Sequence, residues 1–186
     1  VKSWLSRSEN GSDKLFLSPL ALTKVLTCEV RPSTGDITVF GHSCKDDPDA
    51  VRRLVGVCKQ DNYFWPMLSA KEHLDLFALL RGVDPGEIDE TVLKWLESVD
   101  LDTVQYMQTS QFSGGMKRRL SLALSTIGNR PLIVLDEPTT GMDPVSRRFV
   151  WRHIDGIKKD RVVLLTTHAM EVGSDYGPLF VLTNVL

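Results

Sequence analysis

The run Leu132-Ile-Val-Leu-Asp-Glu-Pro138 places two adjacent carboxylates, Asp136 and Glu137, where a continuous apolar run ends. In open α/β sheets ligands bind beyond the carboxyl ends of the strands. An acidic pair there can hold Mg²⁺ through one carboxylate and orient a water with the other. The same residues also suit an ordinary Asp-Glu-Pro turn. A second candidate is Phe112-Ser-Gly-Gly-Met-Lys-Arg-Arg119. Ser113, Gly114 and Gly115 at a helix start would expose backbone N–H groups with the helix dipole behind them, which makes an anion site. Lys117, Arg118 and Arg119 then fall in the first turns, where positive charge is mildly unfavourable. A nearby phosphate or acidic partner would offset this; the plain alternative is a capped helix with a solvated basic face. His168 follows the apolar run at 162–165 and can reach the same sheet edge as Asp136 and Glu137, although a lone His is more often structural. Gln60, after a short strand, could contact a metal or a water, and taken alone is a weak signal.

The elements that must position these residues are legible from periodicity. Residues 132–135 and 161–166 read as strands buried on both faces. Residues 53–58 read as another short strand, and 36–40 alternate like a half-buried one closed by Gly41. A helix is expected at about 20–28, and a turn at 31–35. Residues 69–80 read as helical, with Leu74, Phe77, Ala78 and Leu80 apolar. Asp84-Pro-Gly-Glu87 is a good helix start, followed by a stripe of Ile88, Val92, Trp95, Leu96 and Val99 that suits core packing. A polar link at 102–112 leads to a helix that Ser113 can cap and Gly128-Asn129 can end, with Leu120, Ala123, Leu124 and Ile127 inward. Asp143-Pro144 starts another, with Phe149, Val150, Ile154 and Ile157 inward. Strands alternating with helices imply a parallel sheet with crossover helices.

Composition narrows the class. At 186 residues the chain suits one domain or slightly more, and 42% hydrophobic with 25% charged residues is ordinary for a globular protein. That excludes collagen, a disordered tail and a disulfide scaffold. Twenty-two Lys and Arg against 24 Asp and Glu give a net charge of -2, which offers no general electrostatic case for nucleic acid or an anionic membrane. The three cysteines, Cys28, Cys44 and Cys58, are widely spaced without a CxxC pair and read as reduced thiols. No apolar run reaches the roughly 20 residues of a membrane span. Residues 1–14 lack the apolar core of a signal peptide, and there is no initiator Met, as expected of a fragment or processed product.

In their order along the chain, Gln60, Ser113-Gly-Gly115, Asp136-Glu137, Asp143 and His168 closely resemble the nucleotide-binding domain of ATP-binding cassette (ABC) transporters. The resemblance runs from about residue 20 to 171. It implies an α/β fold of the P-loop NTPase type, a mostly parallel sheet with a helical insert at about 69–129, within one partial domain over 1–186. It also implies ATP and Mg²⁺ as cofactors. Gln60 is then similar to the Q-loop glutamine and, with the Walker B aspartate Asp136, a metal contact. Glu137 is similar to the catalytic base and His168 to the switch histidine. Ser113, Gly114 and Gly115 resemble the signature motif, with Met116 where many members have Gln, and Asp143 resembles the D-loop aspartate. Residues 112–119 and 136–144 look most like subfamily A, the lipid-exporter group. The implied partners are a second cassette, which sandwiches ATP, and transmembrane domains outside this chain, at the cytoplasmic face of a membrane; no nucleic acid is expected.

One motif departs from the family. A P-loop reads G-x-x-x-x-G-K-[ST], and its nearest echo is Ser8-Glu-Asn-Gly-Ser-Asp-Lys-Leu15. Gly11 and Lys14 match. Ser8 and Asp13 stand where glycines belong, and Leu15 stands where the Mg²⁺-binding hydroxyl belongs. Lys14 also lies 21 positions before Gly35, several more than in the family. An ungapped reading back from Thr23-Lys-Val-Leu-Thr27 puts Pro19 in the lysine's place. The expectation is a cassette incomplete on its N-terminal side and shortened after His168. It would act as an ATPase by family resemblance or, alternatively, as an inactive cassette that supplies only its signature to a partner's ATP site.

Overall fold

The computed structural model describes residues 19–167 and 179–182. Helix α1 (Pro19–Leu26) leads to a short antiparallel hairpin of β1 (Thr38–Val39) and β2 (His42–Ser43). Helix α2 (Pro48–Leu54) follows, started by Pro48 and capped by the Asp47 carboxylate on the Ala50 N–H. It runs directly into β3 (Val55–Cys58). Residues 53–58, expected as one strand, therefore divide between a helix end and a strand. The strand expected over 36–40 shrinks to the two residues of β1, because its partner β2 is equally short.

The main sheet is parallel, in the order β3-β4-β5-β6, with β4 at Leu132–Asp136, β5 at Val162–Thr166 and β6 at Leu179–Leu182. Val57 pairs with Val134, and Asp136 with Thr166. Successive side chains point to opposite faces. Ile133, Leu135, Val163 and Leu165 pack with α6 (Pro144–Ile157) and with Leu122 of α5 (Gly114–Thr126). Leu132, Val134 and Leu164 face the other way, onto α1, α2 and the hairpin.

A separate apolar cluster forms where α3 (Ala70–Leu80), α4 (Ile88–Ser98) and the other face of α5 meet, with Leu74, Val92, Leu96, Leu120 and Ile127 fully enclosed. Ser69 and Glu72 make a reciprocal capping box at the start of α3. Leu80, one of the apolar residues of this helix, is 70% exposed, because it lies off the stripe set by Leu74 and Ala78. The link at 102–112 contains two single 3₁₀ turns, and its far end is bonded to the segment after β3: Thr109 N–H donates to the Leu68 carbonyl at 3.0 Å and Ser110 N–H to that of Pro66 at 3.1 Å. Helix α5 thus serves both cores. Gly56 lets it lie against the sheet, since a Cβ there would sit 2.1 Å from the Ser125 carbonyl oxygen and 2.8 Å from Ile133 Cδ1.

Candidate nucleotide site

Two groups of predicted residues come together, on different parts of the surface. The first lies at the carboxyl end of β3 and β4. Gln60 and Asp136 line one cleft of about 270 Å³, which Thr23 and Lys24 of α1 and Thr27 just after it also line. Asp136 Oδ1 accepts a 2.5 Å hydrogen bond from the Thr166 hydroxyl on the paired strand. That bond fixes the carboxylate and leaves its second oxygen available to a cation. Glu137 follows with φ +47°, a left-handed conformation unusual outside glycine. Its N–H donates to the Thr166 carbonyl at 3.0 Å, and its Oε2 accepts from Thr140 Oγ1 at 2.8 Å. The chain therefore turns sharply off the sheet between the two carboxylates.

The second group surrounds the start of α5. Ser113 caps the helix by accepting from the Met116 N–H at 3.2 Å, and Ser113 and Gly114 are exposed. A Cβ on Gly115 would approach Ser146 Oγ at 3.1 Å and Asp143 Oδ2 at 3.8 Å, so Asp143 lies beside the Ser-Gly-Gly turn. Asp143 caps α6, with Oδ1 accepting from the N–H groups of Val145 and Ser146, both at 2.9 Å. Bonds from Ser146, first its hydroxyl and then its amide, hold the Asp143 carboxyl below its ordinary range. Gly11, Lys14 and His168 lie outside the described residues.

Arg118 joins the two groups, and this corrects the expectation of a solvated or phosphate-seeking basic run. It is 4% exposed. Its Nε donates to the Pro138 carbonyl at 3.0 Å and its Nη2 to those of Asp136 at 2.6 Å and Glu137 at 2.8 Å. Its Nη1 donates to Gln60 O at 3.1 Å and to Lys59 O. One side chain on the Ser113-capped helix thereby holds the backbones that follow both β3 and β4. Arg119 is likewise engaged, with the carbonyls of Val99 and Asp100 and with the Asp100 carboxylate at 2.7 Å. Protein carbonyls around Arg118, and carbonyls with the Asp100 carboxylate around Arg119, face these two charges in the first turns of α5. The parts that Thr166 and Arg118 play were not read from the sequence: Thr166 showed only as a Thr after the β5 apolar run, and Arg118 only as one member of a basic run.

The residues after Gln60 form an apolar surface. Tyr63 is 79% exposed, Trp65 53%, Met67 71% and Tyr106 75%. His73 anchors them from beneath: its Nδ1–H donates to the Ser69 carbonyl at 2.8 Å, so its Nε2 accepts from the Trp65 N–H at 3.1 Å. Burial pushes the His73 imidazole below its usual range and keeps it neutral.

A parallel sheet with a helical layer, an acidic pair at a strand end and a Ser-Gly-Gly helix start define a nucleotide-binding cassette. The ABC transporter family model matches residues 21–140, and the chain belongs to that family. Its similarity is to subfamily A. It is 47% identical over 146 residues to ABC transporter A family member 8 of Dictyostelium discoideum, covering 78% of this chain and 17% of that protein. It is 46% identical to ABC transporter A family member 2 of Arabidopsis thaliana, covering 87% and 17%, and 38% identical to ATP-binding cassette sub-family A member 7 of Rattus norvegicus, covering 80% and 7%. The chain thus spans less than a fifth of the length of each of these relatives. The fold matches a dimeric ATP-binding cassette in a post-hydrolysis state bound to ADP and Pi, with TM-score 0.71 at 22% identity over 82% of this chain and 72% of that one. It also matches the ATP-binding subunit of an ABC transporter, with TM-score 0.73 at 24% identity over 88% and 69%.

Proposed function

We propose that the chain is the ATP-binding segment of a subfamily A transporter, and that ATP binding and hydrolysis here drive movement of a lipid-like substrate through membrane domains outside it. The observation that carries this reading is the cleft in which α1 meets Gln60 and Asp136 at the end of the sheet. Among the described residues no group of three or more His, Cys, Asp and Glu could hold a metal by itself. One carboxylate oxygen and one amide suit Mg²⁺ nonetheless, because that ion takes few protein ligands and completes its shell with water and phosphate. Asp136 and Gln60 would hold it, and Mg²⁺ would supply charge to the nucleotide's phosphates. Glu137 would accept the proton of the attacking water, with His168 near the terminal phosphate and Gly11 and Lys14 on the phosphates. Ser113, Gly114, Gly115 and Asp143 would face the nucleotide of a second cassette, and residues 69–129 would be the helical subdomain that carries them. The test is Glu137→Gln in the chain assembled with a competent cassette: ATP affinity is retained and turnover falls at least a hundredfold, since an amide accepts no proton. An unchanged steady-state rate overturns the role.

A second reading follows from where α1 begins. The helix starts at Pro19, the position that an ungapped register aligns with the P-loop lysine, and proline brings neither an N–H nor a cation. On that reading the chain supplies only its Ser-Gly-Gly face to a partner's ATP. Calorimetry on the chain alone separates the two: no ATP binding supports the second reading, and micromolar affinity excludes it. Among the described residues no helix is long and apolar enough to cross a membrane. On the proposed function the exposed Tyr63–Trp65–Met67–Tyr106 surface would face membrane-spanning domains at the cytoplasmic side.

A further inference from the structure

Cys28 and Cys44 are 16 positions apart in sequence, and the fold brings them together. Cys28 ends α1 in a left-handed conformation, φ +54°, with its N–H on the Val25 carbonyl at 2.9 Å and its own carbonyl held by Arg52 Nη2 at 3.1 Å. Cys44 leaves the β1–β2 hairpin, where its N–H donates to Ile37 O at 2.8 Å, and it is 3% exposed. Both side chains belong to the apolar cluster beneath α1 and the hairpin, Cys44 within it and Cys28 packed against it, and each thiol is close enough to act on the other. Cys58 is fully enclosed in the cluster on the opposite face of the sheet, with its sulfur 3.6 Å from Ser121 Oγ.

We propose that Cys28 and Cys44 are a modification site, a dithiol that a low-molecular-weight disulfide of the glutathione type converts reversibly into an intrachain disulfide. Cys28 is the partly exposed member and reacts first. Its thiolate attacks one sulfur of the oxidant and displaces one small thiol, leaving a mixed disulfide on Cys28. The Cys44 thiolate, its neighbour in the cluster, attacks Cys28 Sγ and displaces the second. Two electrons pass from the cysteine pair to the oxidant, and the two cysteine protons end on the two small thiols released. Burial raises both thiols, Cys44 to about 12, so the exchange is slow at neutral pH and quickens in mild alkali. The cross-link ties the end of α1 to the hairpin. Because Thr23, Lys24 and Thr27 of that segment line the cleft, the thiol state governs how firmly one cleft wall is held.

The test is incubation of the folded chain with glutathione disulfide at mildly alkaline pH. An acid quench, alkylation of remaining thiols and cleavage after Glu29 and after Lys45, which puts the three cysteines on three separate peptides, follow. The expected products are a Cys28 peptide linked to the Cys44 peptide, an alkylated Cys58, and loss of the link on treatment with dithiothreitol. Cys58→Ser should form the same link, and Cys44→Ser should trap the mixed disulfide on Cys28. Three alkylated cysteines overturn the proposal. So does a persistent glutathione adduct in the unsubstituted chain, a link to Cys58, or a link between two chains. Should Cys44→Ser fail to fold, the linked peptide in the unsubstituted and Cys58→Ser chains decides the matter.

Discussion

Arg118 is a cation whose counter-charges are carbonyl dipoles. Five backbone oxygens from two separate segments accept its N–H groups, and a guanidinium suits this because its donors are planar and fixed in a fork. Methionine at this position would keep the length and strand those carbonyls. Unsatisfied buried acceptors cost roughly 1–3 kcal/mol each, and water can rescue only some of them. Arg118→Met should therefore lower stability by about 3 kcal/mol or more, read as a fall in the urea midpoint at unchanged slope. Arg118→Lys should lose less, since an ammonium keeps the charge but reaches fewer of the five. A midpoint unmoved by Arg118→Met would show that these carbonyls are solvated. None of this was legible beforehand. A residue pattern marks which face of a helix is apolar, but not which distant carbonyl a long polar side chain will find. The same limit hid the Cys28–Cys44 contact and the Thr166 bond to Asp136. Asp136, Gln60, Ser113 and Asp143 were legible because each stands at the end of an element, where chain direction alone carries it to the sheet edge or the helix start.

At the scale of elements, legibility tracked length and punctuation. Strands β4 and β5 are continuous apolar runs, and α5 and α6 open on Ser-Gly-Gly and Asp-Pro starts, so their places could be read directly; the Asp84-Pro85 start instead opens a 3₁₀ turn over Pro85–Glu87, and α4 begins after it at Ile88 with no side-chain cap. Helix α2 has only seven residues, too few to repeat an apolar stripe, although Asp47-Pro48 carries the same start signal as Asp143-Pro144. His153 shows how these elements are tied. It projects from α6 to Ser98 Oγ at the end of α4 and to Thr126 Oγ1 at the end of α5, both at 2.9 Å. Burial, and secondarily the charge of Arg161, pushes its imidazole down to about 4. The unfolded chain takes up this proton first, near pH 6.5. The stabilisation is thus complete above about pH 6.5 and is lost as pH falls toward about 4, a total on the order of 3 kcal/mol. His73 contributes with the same sign. His153→Gln should reduce stability at neutral pH and flatten the decline below it; an equally steep decline in the variant would assign the acid sensitivity elsewhere.

At the scale of the whole molecule, several large rings lie outside its own cores. Tyr63 and Trp65 stand out from a loop whose backbone is fixed by His73 and by the segment at 105–110. Replacing both with Ser should change the unfolding free energy by less than about 0.5 kcal/mol, read from urea titration, as expected of exposed positions. Within an assembled transporter the same change should uncouple ATP turnover from transport. A large loss of stability in the isolated chain would mean that these rings are core instead. Gly56 has the opposite character, invisible from outside and decisive within. There the helix shared by both cores lies against bare strand backbone, at a clearance with no room for a single carbon. Adding that carbon as Ala would act as a wedge. It would lift the Ser125 end of α5, and through Arg118 it would pull on the turns that carry Gln60 and Glu137. Hydrogen exchange in those turns should quicken along with that of α5, although no atom of the cleft has been changed. The spacing of two layers, set by a missing methyl, is then a hidden adjustment screw for the distance between the two halves of the site.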